Sequence, residues 1–332
     1  MKESYNQQIS ICRESTERVK SEVIEENKMS ILGNISMAIL RITSQFMKNG
    51  VYDISEEIKK AKEYNKKHRY SMPHDSMAFY KELTIADYPC LIIRTKKKPV
   101  IKDKAILFLH GGIKNDWKPE LSIARGYANR TGMDIWYPIY PPITEVSVTM
   151  TIEVIYQMYR KMTKKYNAEK IAVVGGSFGG FFALEIINWI NRKGMEVKMP
   201  GLLIANSPAG LPDTEEDWEL MRHYAKKDPI LNVFAMEMVE GIVKYYDEKV
   251  PGYALYPMQG DFHNAPKTFI YYAEETCAGV SAAYMRVYER DGSANQIHMH
   301  IEPNMMHCYA CCPVFAESRR DFYKQINLLN EL

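Results

Sequence analysis

The sequence predicts an α/β protein, with a mainly parallel twisted sheet carrying helices on both faces, and three observations predict it. Short, wholly apolar runs such as Ala105–Leu109, Ile171–Val174 and Gly201–Ala205 suit strands buried on both sides, where neither face meets water. Segments with apolar residues at helical spacing separate these runs, which is the alternation of a parallel sheet joined by crossover helices. The 332 residues, 46% hydrophobic and 25% charged, suffice to bury on the order of 75% of the unfolded surface.

Taken in order, residues 1–28 are rich in Glu, Lys, Ser and Gln and read as an exposed helix or arm. Met29–Gly50 places Ile31, Ile35, Ala38, Ile39, Ile42 and Phe46 at helical spacing, with Gly50 as the stop. It reads as a helix packed on a core, with a lid or interfacial helix as the sharper reading. A charged helix follows over Ile54–His68. Lys81–Ile85 and Leu91–Thr95 form a hairpin around Asp87-Tyr88-Pro89. Then come the strand Ala105–Leu109, the helix Pro119–Arg130, the strand Met133–Trp136 and the helix Ile152–Tyr166. The strand Ile171–Val174, the helix Gly179–Arg192 and the strand Gly201–Ala205 continue the pattern. From Asp213 to about Tyr256 two helical patterns occur without a strand, an insertion of the kind that forms a lid. The alternation resumes with the strand Thr268–Tyr272, a helix near Val280–Glu289, the strand Gln296–Ile301 and a helix from Phe315.

A balance of 43 Lys+Arg against 41 Asp+Glu gives no basic excess to favour nucleic acid or an anionic membrane. The charged start of the chain shows no secretory signal, and no run approaches 18 apolar residues, so the reading is cytoplasmic with no spanning segment. Six cysteines (Cys12, Cys90, Cys277, Cys308, Cys311, Cys312) are too few and too unevenly spaced for a disulfide scaffold.

The chemistry concentrates at Gly175-Gly176-Ser177-Phe178-Gly179, a G-x-S-x-G lying directly after a strand and directly before a helix. A nucleophilic serine needs that setting, because a tight strand-to-helix turn lifts its Oγ above the sheet. Serine also needs a base, an orienting acid and an oxyanion hole. The backbone N–H groups of Gly111, Gly112 and Ile113, after the strand Ala105–Leu109, can form the hole with that of Phe178. Of eight histidines, His298 and His300 alternate along a strand and read as structural. His307, in the loop beyond that strand, is the candidate base. The acid is expected after the strand Thr268–Tyr272, where Glu275 is the choice and Glu274 the reserve, since adjacent residues leave a strand in opposite directions. Asp261 and Asp291 sit before the strand and after the helix. Cys308, Cys311 and Cys312 lack a second Cys/His pair at zinc spacing, so neither metal nor cofactor is expected.

These segments together resemble the hormone-sensitive-lipase branch of the α/β-hydrolase fold, the acetyl-esterase-like carboxylesterases, over roughly residues 80–330. His110-Gly111-Gly112 resembles the family's H-G-G-G, Tyr140-Pro141-Pro142 its Y-P-L, and Asn206-Ser207-Pro208 its S-P-W. Lys227-Asp228-Pro229 resembles its K-D-P, and Met305-Met306-His307 its G-M-x-H. Departures are Ile113 for a third glycine, Gly176 and Phe178 flanking the serine, and Thr276 where one alignment puts the family's aspartate. The resemblance implies a helical arm or cap at 1–78 and a catalytic domain at 79–332 with a cap insertion at about 213–256. Met37, Met236, Met238 and Met258 would lend that cap an adaptable apolar lining. It further implies a cofactor-free serine carboxylesterase for small or medium apolar acyl esters, with a small-molecule substrate and room for a homo-oligomer. An amidase or peptidase with the same triad, and a binding protein on the same fold, are the competing readings.

Overall fold

The computed structural model describes residues 53–332. The arm at 1–28 and the expected helix Met29–Gly50, Met37 included, lie outside the described residues. Helix α1, Ile54–Lys67, starts on Asp53, whose side chain accepts the N–H groups of Ser55 and Glu56. Strands β1 (Phe79–Ile85) and β2 (Tyr88–Arg94) pair antiparallel from Ile85↔Tyr88 outward. Their turn is two residues, Ala86 and Asp87, both at positive φ (49° and 67°). Such a turn matches the right-handed twist of the flanking strands, so Tyr88 and Pro89, expected in the turn, belong to β2.

The chain then alternates: β3 (Ile101–Leu109), α2 (Trp117–Thr131), β4 (Met133–Pro138), α3 (Val148–Thr163), β5 (Ile171–Gly176), α4 (Phe178–Arg192) and β6 (Leu202–Asn206). Helix α3 begins four residues before the expected Ile152, because the Ser147 hydroxyl accepts the Met150 N–H and caps it there. Between β6 and β7 lie α5 (Glu215–Ala225) and α6 (Val233–Tyr246), capped by Thr214 and Asn232. Strand β7 (Lys267–Ala273), α7 (Ser281–Arg290), β8 (Ile297–Glu302) and α8 (Ala316–Glu331) complete the order.

The eight strands form one sheet in the order β1-β2-β4-β3-β5-β6-β7-β8. Strand β2 pairs antiparallel with both neighbours, and every pairing from β4 to β8 is parallel. Alternate residues of the central strands feed two separate cores. Leu107, Leu109 and Val173 face one layer of helices, while Ile106, Phe108 and Val174 face the other. Burial on both faces explains why these strands carry no polar alternation. Met236 is buried in α6, and Met238 and Met258 pack part-buried against the same core. No helix among the described residues is long and apolar enough to cross a membrane.

Candidate active site

Strand β5 delivers the chain to Ser177, which is held at φ 54°, ψ −123° before α4 begins. A non-glycine residue in this region is strained, and such strain is stable only when the surroundings impose it. Here they do. The Ser177 N–H donates to the Asn206 carbonyl at 2.8 Å, and its carbonyl accepts from Phe181 at 3.0 Å and Ala209 at 3.2 Å. The flanking glycines are required by contact: a Cβ on Gly175 would lie 2.1 Å from the Gly179 carbonyl oxygen, and one on Gly179 would lie 2.0 Å from that of Leu109. The Ser177 side chain makes no capping bond to its helix, so the helix N-terminus does not claim the hydroxyl. The Phe178 ring packs into the core. That ring is buried against Phe181 and Phe182.

The loop after β3 is braced from beneath. The His110 ring stacks on Tyr140 at 4.3 Å, and the Tyr140 hydroxyl donates to the His110 carbonyl. Burial holds His110 down at about 4, so the ring is neutral and structural. Gly112 adopts φ +86°, and Thr144 donates to the Ile113 carbonyl at 2.7 Å. The Gly111 N–H, one of the four candidate oxyanion donors, is already engaged: it donates to Glu120 Oε1 at 2.6 Å. An N–H pointed at a carboxyl behind the loop cannot also face a substrate oxygen, so the expectation for Gly111 is corrected. The N–H groups of Gly112, Ile113 and Phe178 carry no such bond among the described residues.

Glu120 was not anticipated. In the sequence it is an ordinary acidic residue in the first turn of a helix, where the dipole favours it. In the fold the residue is half-buried, and its Oε2 atom is buried without a partner. Burial pushes its carboxyl up to about 7, against the Gly111 N–H and His307, which favour the anion.

Glu275 and His307 come together from 32 residues apart. His307 Nδ1 lies 3.1 Å from Glu275 Oε2, and Glu275 is completely buried. The same oxygen accepts the Cys277 N–H at 2.9 Å, which aims the carboxylate, while Oε1 has no partner. The neighbouring Glu274 turns away and pairs with Lys227 at 2.9 Å. Burial, the largest single influence, opposes a charged His307 ring, but the Glu275 carboxylate and the Cys277 side chain together outweigh it and hold the imidazole well above its ordinary value. His307 Nε2 is buried without a hydrogen-bond partner among the described residues, and Ser177 Oγ is not bonded to it. Such contacts often tighten only when substrate binds.

Two further braces escaped the sequence reading. Ser207, at φ 47°, accepts the Cys308 N–H at 2.9 Å and so anchors the residue after His307. Asp228, in the insertion, accepts the Thr276 N–H at 2.8 Å beside Glu275. The motifs containing these residues were visible, but nothing in the sequence said what they would grip. His298 stacks on Phe269, and His300 pairs with Glu302, both remote from Ser177 in the sheet register as structural residues would be. The five described cysteines are free thiols.

A strained serine between a strand and a helix, beside a buried His–carboxylate pair, on a sheet of this order, defines an α/β-hydrolase class of protein. The sequence matches the family described as alpha/beta hydrolase fold over residues 106–311, and the chain belongs to that family. Among solved structures it is similar to an esterase/lipase from an uncultured bacterium, at 16% identity and a TM-score of 0.71 over 91% of this chain and 98% of that one. EstE5, in crystals soaked with p-nitrophenyl butyrate, aligns at 16% identity and 0.71, covering 91% and 98%. An esterase from the bacterial hormone-sensitive lipase family aligns at 17% identity and 0.71, covering 92% and 99%. The chain shares its alpha/beta hydrolase fold with these structures. No curated protein matches the sequence.

Proposed function

We propose that the protein is a serine carboxylesterase acting on small to medium apolar acyl esters. The observation that carries this reading is the buried Glu275–His307 pair at 3.1 Å, set against a serine whose backbone is strained and whose hydroxyl is unclaimed. The esterases among the similar structures favour ester over amide chemistry.

In this reading Ser177 Oγ attacks the ester carbonyl while His307 Nε2 takes its proton. Glu275 holds the proton on Nδ1, which leaves the Nε2 lone pair facing the serine and stabilises the imidazolium that forms. The N–H groups of Gly112, Ile113 and Phe178 receive the oxyanion. His307 returns the proton to the leaving alcohol, and water releases the acyl group by the same route in reverse. The insertion at about 213–256 acts as a cap over this site.

The test is hydrolysis of p-nitrophenyl esters from acetyl to dodecanoyl by the wild type and Ser177→Ala. Turnover that vanishes in the folded variant, with an optimum at short or medium chains, is expected. A p-nitroanilide of the same acyl group should be cleaved far more slowly. Absence of turnover on every ester, or equal rates with and without Ser177, would overturn the reading.

A further inference from the structure

We propose that Cys277, His307 and Glu275 form a site for a thiophilic divalent cation, Zn2+ or Cd2+, whose occupancy turns the esterase off. The inference rests on the proposed triad, and it adds a residue, Cys277, that the triad does not use.

The ligand atoms are already gathered. One ligand atom from each of the three side chains lies within 4.8 Å of the others. Zinc binds cysteine sulfur at about 2.3 Å and imidazole nitrogen or carboxylate oxygen at about 2.0–2.2 Å, so tetrahedral neighbours stand roughly 3.3–3.7 Å apart. The Nδ1–Oε2 separation of 3.1 Å reaches that spacing with a small opening of the pair. The second observation is the spare valence. Glu275 is wholly buried, yet its Oε1 has no partner; a cation gripped by both carboxylate oxygens would satisfy it. Cys277 is wholly buried too, one turn-forming residue beyond Thr276, in the short helical turn Thr276–Val280.

Charge favours the same conclusion. A thiolate and a carboxylate cancel a divalent cation, and the ring stays neutral, so the complex adds no net charge to a buried site. The thiol proton departs to solvent as the metal–sulfur bond forms. Magnesium and calcium prefer six or more oxygen ligands, so this sulfur–nitrogen–oxygen set selects against them.

The consequence for catalysis follows from the tautomer. A cation on Nδ1 forces the remaining ring proton onto Nε2. That nitrogen then has no lone pair with which to accept the Ser177 proton, although nothing near Ser177 or the oxyanion loop is blocked. The loss falls on kcat and leaves KM within about twofold, whereas a cation bridging Nε2 and Ser177 would compete with substrate.

The experiment uses the full chain stripped with EDTA. Zn2+ is titrated into p-nitrophenyl butyrate hydrolysis by the wild type and by Cys277→Ser, each compared with its own metal-free rate. In parallel, Cd2+ is titrated into Ser177→Ala with and without Cys277→Ser, reading the ultraviolet thiolate-to-cadmium band, which needs no activity. Expected are a chelator-reversible fall in wild-type kcat, a midpoint raised at least about tenfold in Cys277→Ser, and a one-equivalent cadmium band lost with Cys277. Cys277→Ala replaces Cys277→Ser if the serine variant fails to fold. Equal zinc sensitivity in both proteins, or a cadmium band unchanged without Cys277 and so owed to Cys308, Cys311 or Cys312, would overturn the proposal. A band tied to Cys277 in a protein with no esterase activity would uphold the site while removing the proposed function; an active, zinc-insensitive enzyme would do the reverse.

Discussion

Asp228, in the insertion between β6 and β7, accepts the Thr276 N–H at 2.8 Å, one residue past Glu275. Its other oxygen takes the N–H groups of Ile230 and Leu231 at 2.8 and 3.0 Å. A single buried carboxyl therefore ties the inserted helices to the loop that carries Glu275, and Lys227 adds a partly exposed pair to Glu274. Asp228→Ala leaves the buried Thr276 N–H unsatisfied, at a cost of about 1–3 kcal/mol, and releases the N–H groups of the more exposed Ile230 and Leu231. We expect a lowered Tm and a kcat reduced more than about tenfold, with KM changed less. Unchanged kinetics in a folded variant, by ester assay with thermal melts, would show that the loop is held by other contacts.

The two adjacent glutamates separate cleanly. Glu275→Gln keeps the shape but removes the charge that orients His307, and kcat should fall roughly 10³–10⁴-fold. Glu274→Gln breaks a partly exposed ion pair worth about 0–1 kcal/mol, and its rate should stay within a few-fold. The pH profile supplies a second reading. His307 must be neutral to act as base, and the Glu275 carboxylate favours its charged form, so the acidic limb of wild-type kcat/KM should lie above the ordinary histidine range. In Glu275→Gln, residual activity should show that limb moved to lower pH. A limb that does not move would deny Glu275 its electrostatic role.

Glu120 holds the loop after β3, the proposed oxyanion loop, through the Gly111 N–H. Glu120→Ala orphans that N–H at about 1–3 kcal/mol, and a slack loop should cost about tenfold or more in kcat with little change in KM. Glu120→Gln still offers an oxygen to Gly111 and should recover most of the loss. Because burial places the Glu120 carboxyl near 7, any inflection it adds to the profile near neutrality should vanish in Glu120→Gln. Equal losses in the two variants would argue that the charge, not the acceptor, matters.

Gly179→Ala puts a methyl group 2.0 Å from the Leu109 carbonyl oxygen, a backbone atom that cannot move aside. The variant should fail to accumulate as folded protein, or should fold without esterase activity, as checked by soluble yield and ester turnover. Full activity would mean that β3 and α4 can separate at this crossing.

Glu185, buried in α4, has a carboxyl raised to about 8 by burial, partly offset by the Asn188 amide. The unfolded chain releases this proton above about 4.5, while the folded protein keeps it to about 8. Stability contributed by the neutral carboxyl is therefore complete at low pH and is lost as pH rises through that window. Glu185→Gln, which keeps an acceptor for Asn188, should match the wild-type Tm near about pH 5 and exceed it near about pH 8. A difference that is the same at both values would place the carboxyl outside this linkage.

Much of the architecture was legible in one dimension because local signals carry it. Wholly apolar four- or five-residue runs alternating with longer helical patterns suit strands buried on both faces, and the glycines around Ser177 mark a turn that side chains cannot enter. The candidate acid narrowed to a pair, Glu274 and Glu275, whose side chains leave the chain in different directions: Glu275 meets His307 and Glu274 meets Lys227. Errors fell where local signals were weak. The hairpin closed on Ala86 and Asp87 because the twist of β1 and β2 selected a two-residue turn, and α3 began early because Ser147 capped it.

By itself, then, the sequence determined the α/β order, the serine turn and a short roster of partners, since each depends on residues within a few positions of one another. Tertiary structure alone decided which partners meet. Folding brought Glu275 to His307, turned Gly111 toward Glu120, set Asp228 beneath Thr276 and Cys277 beside the imidazole. Those contacts join residues from 9 to 48 positions apart, and their energies exist only once burial has removed water from both groups.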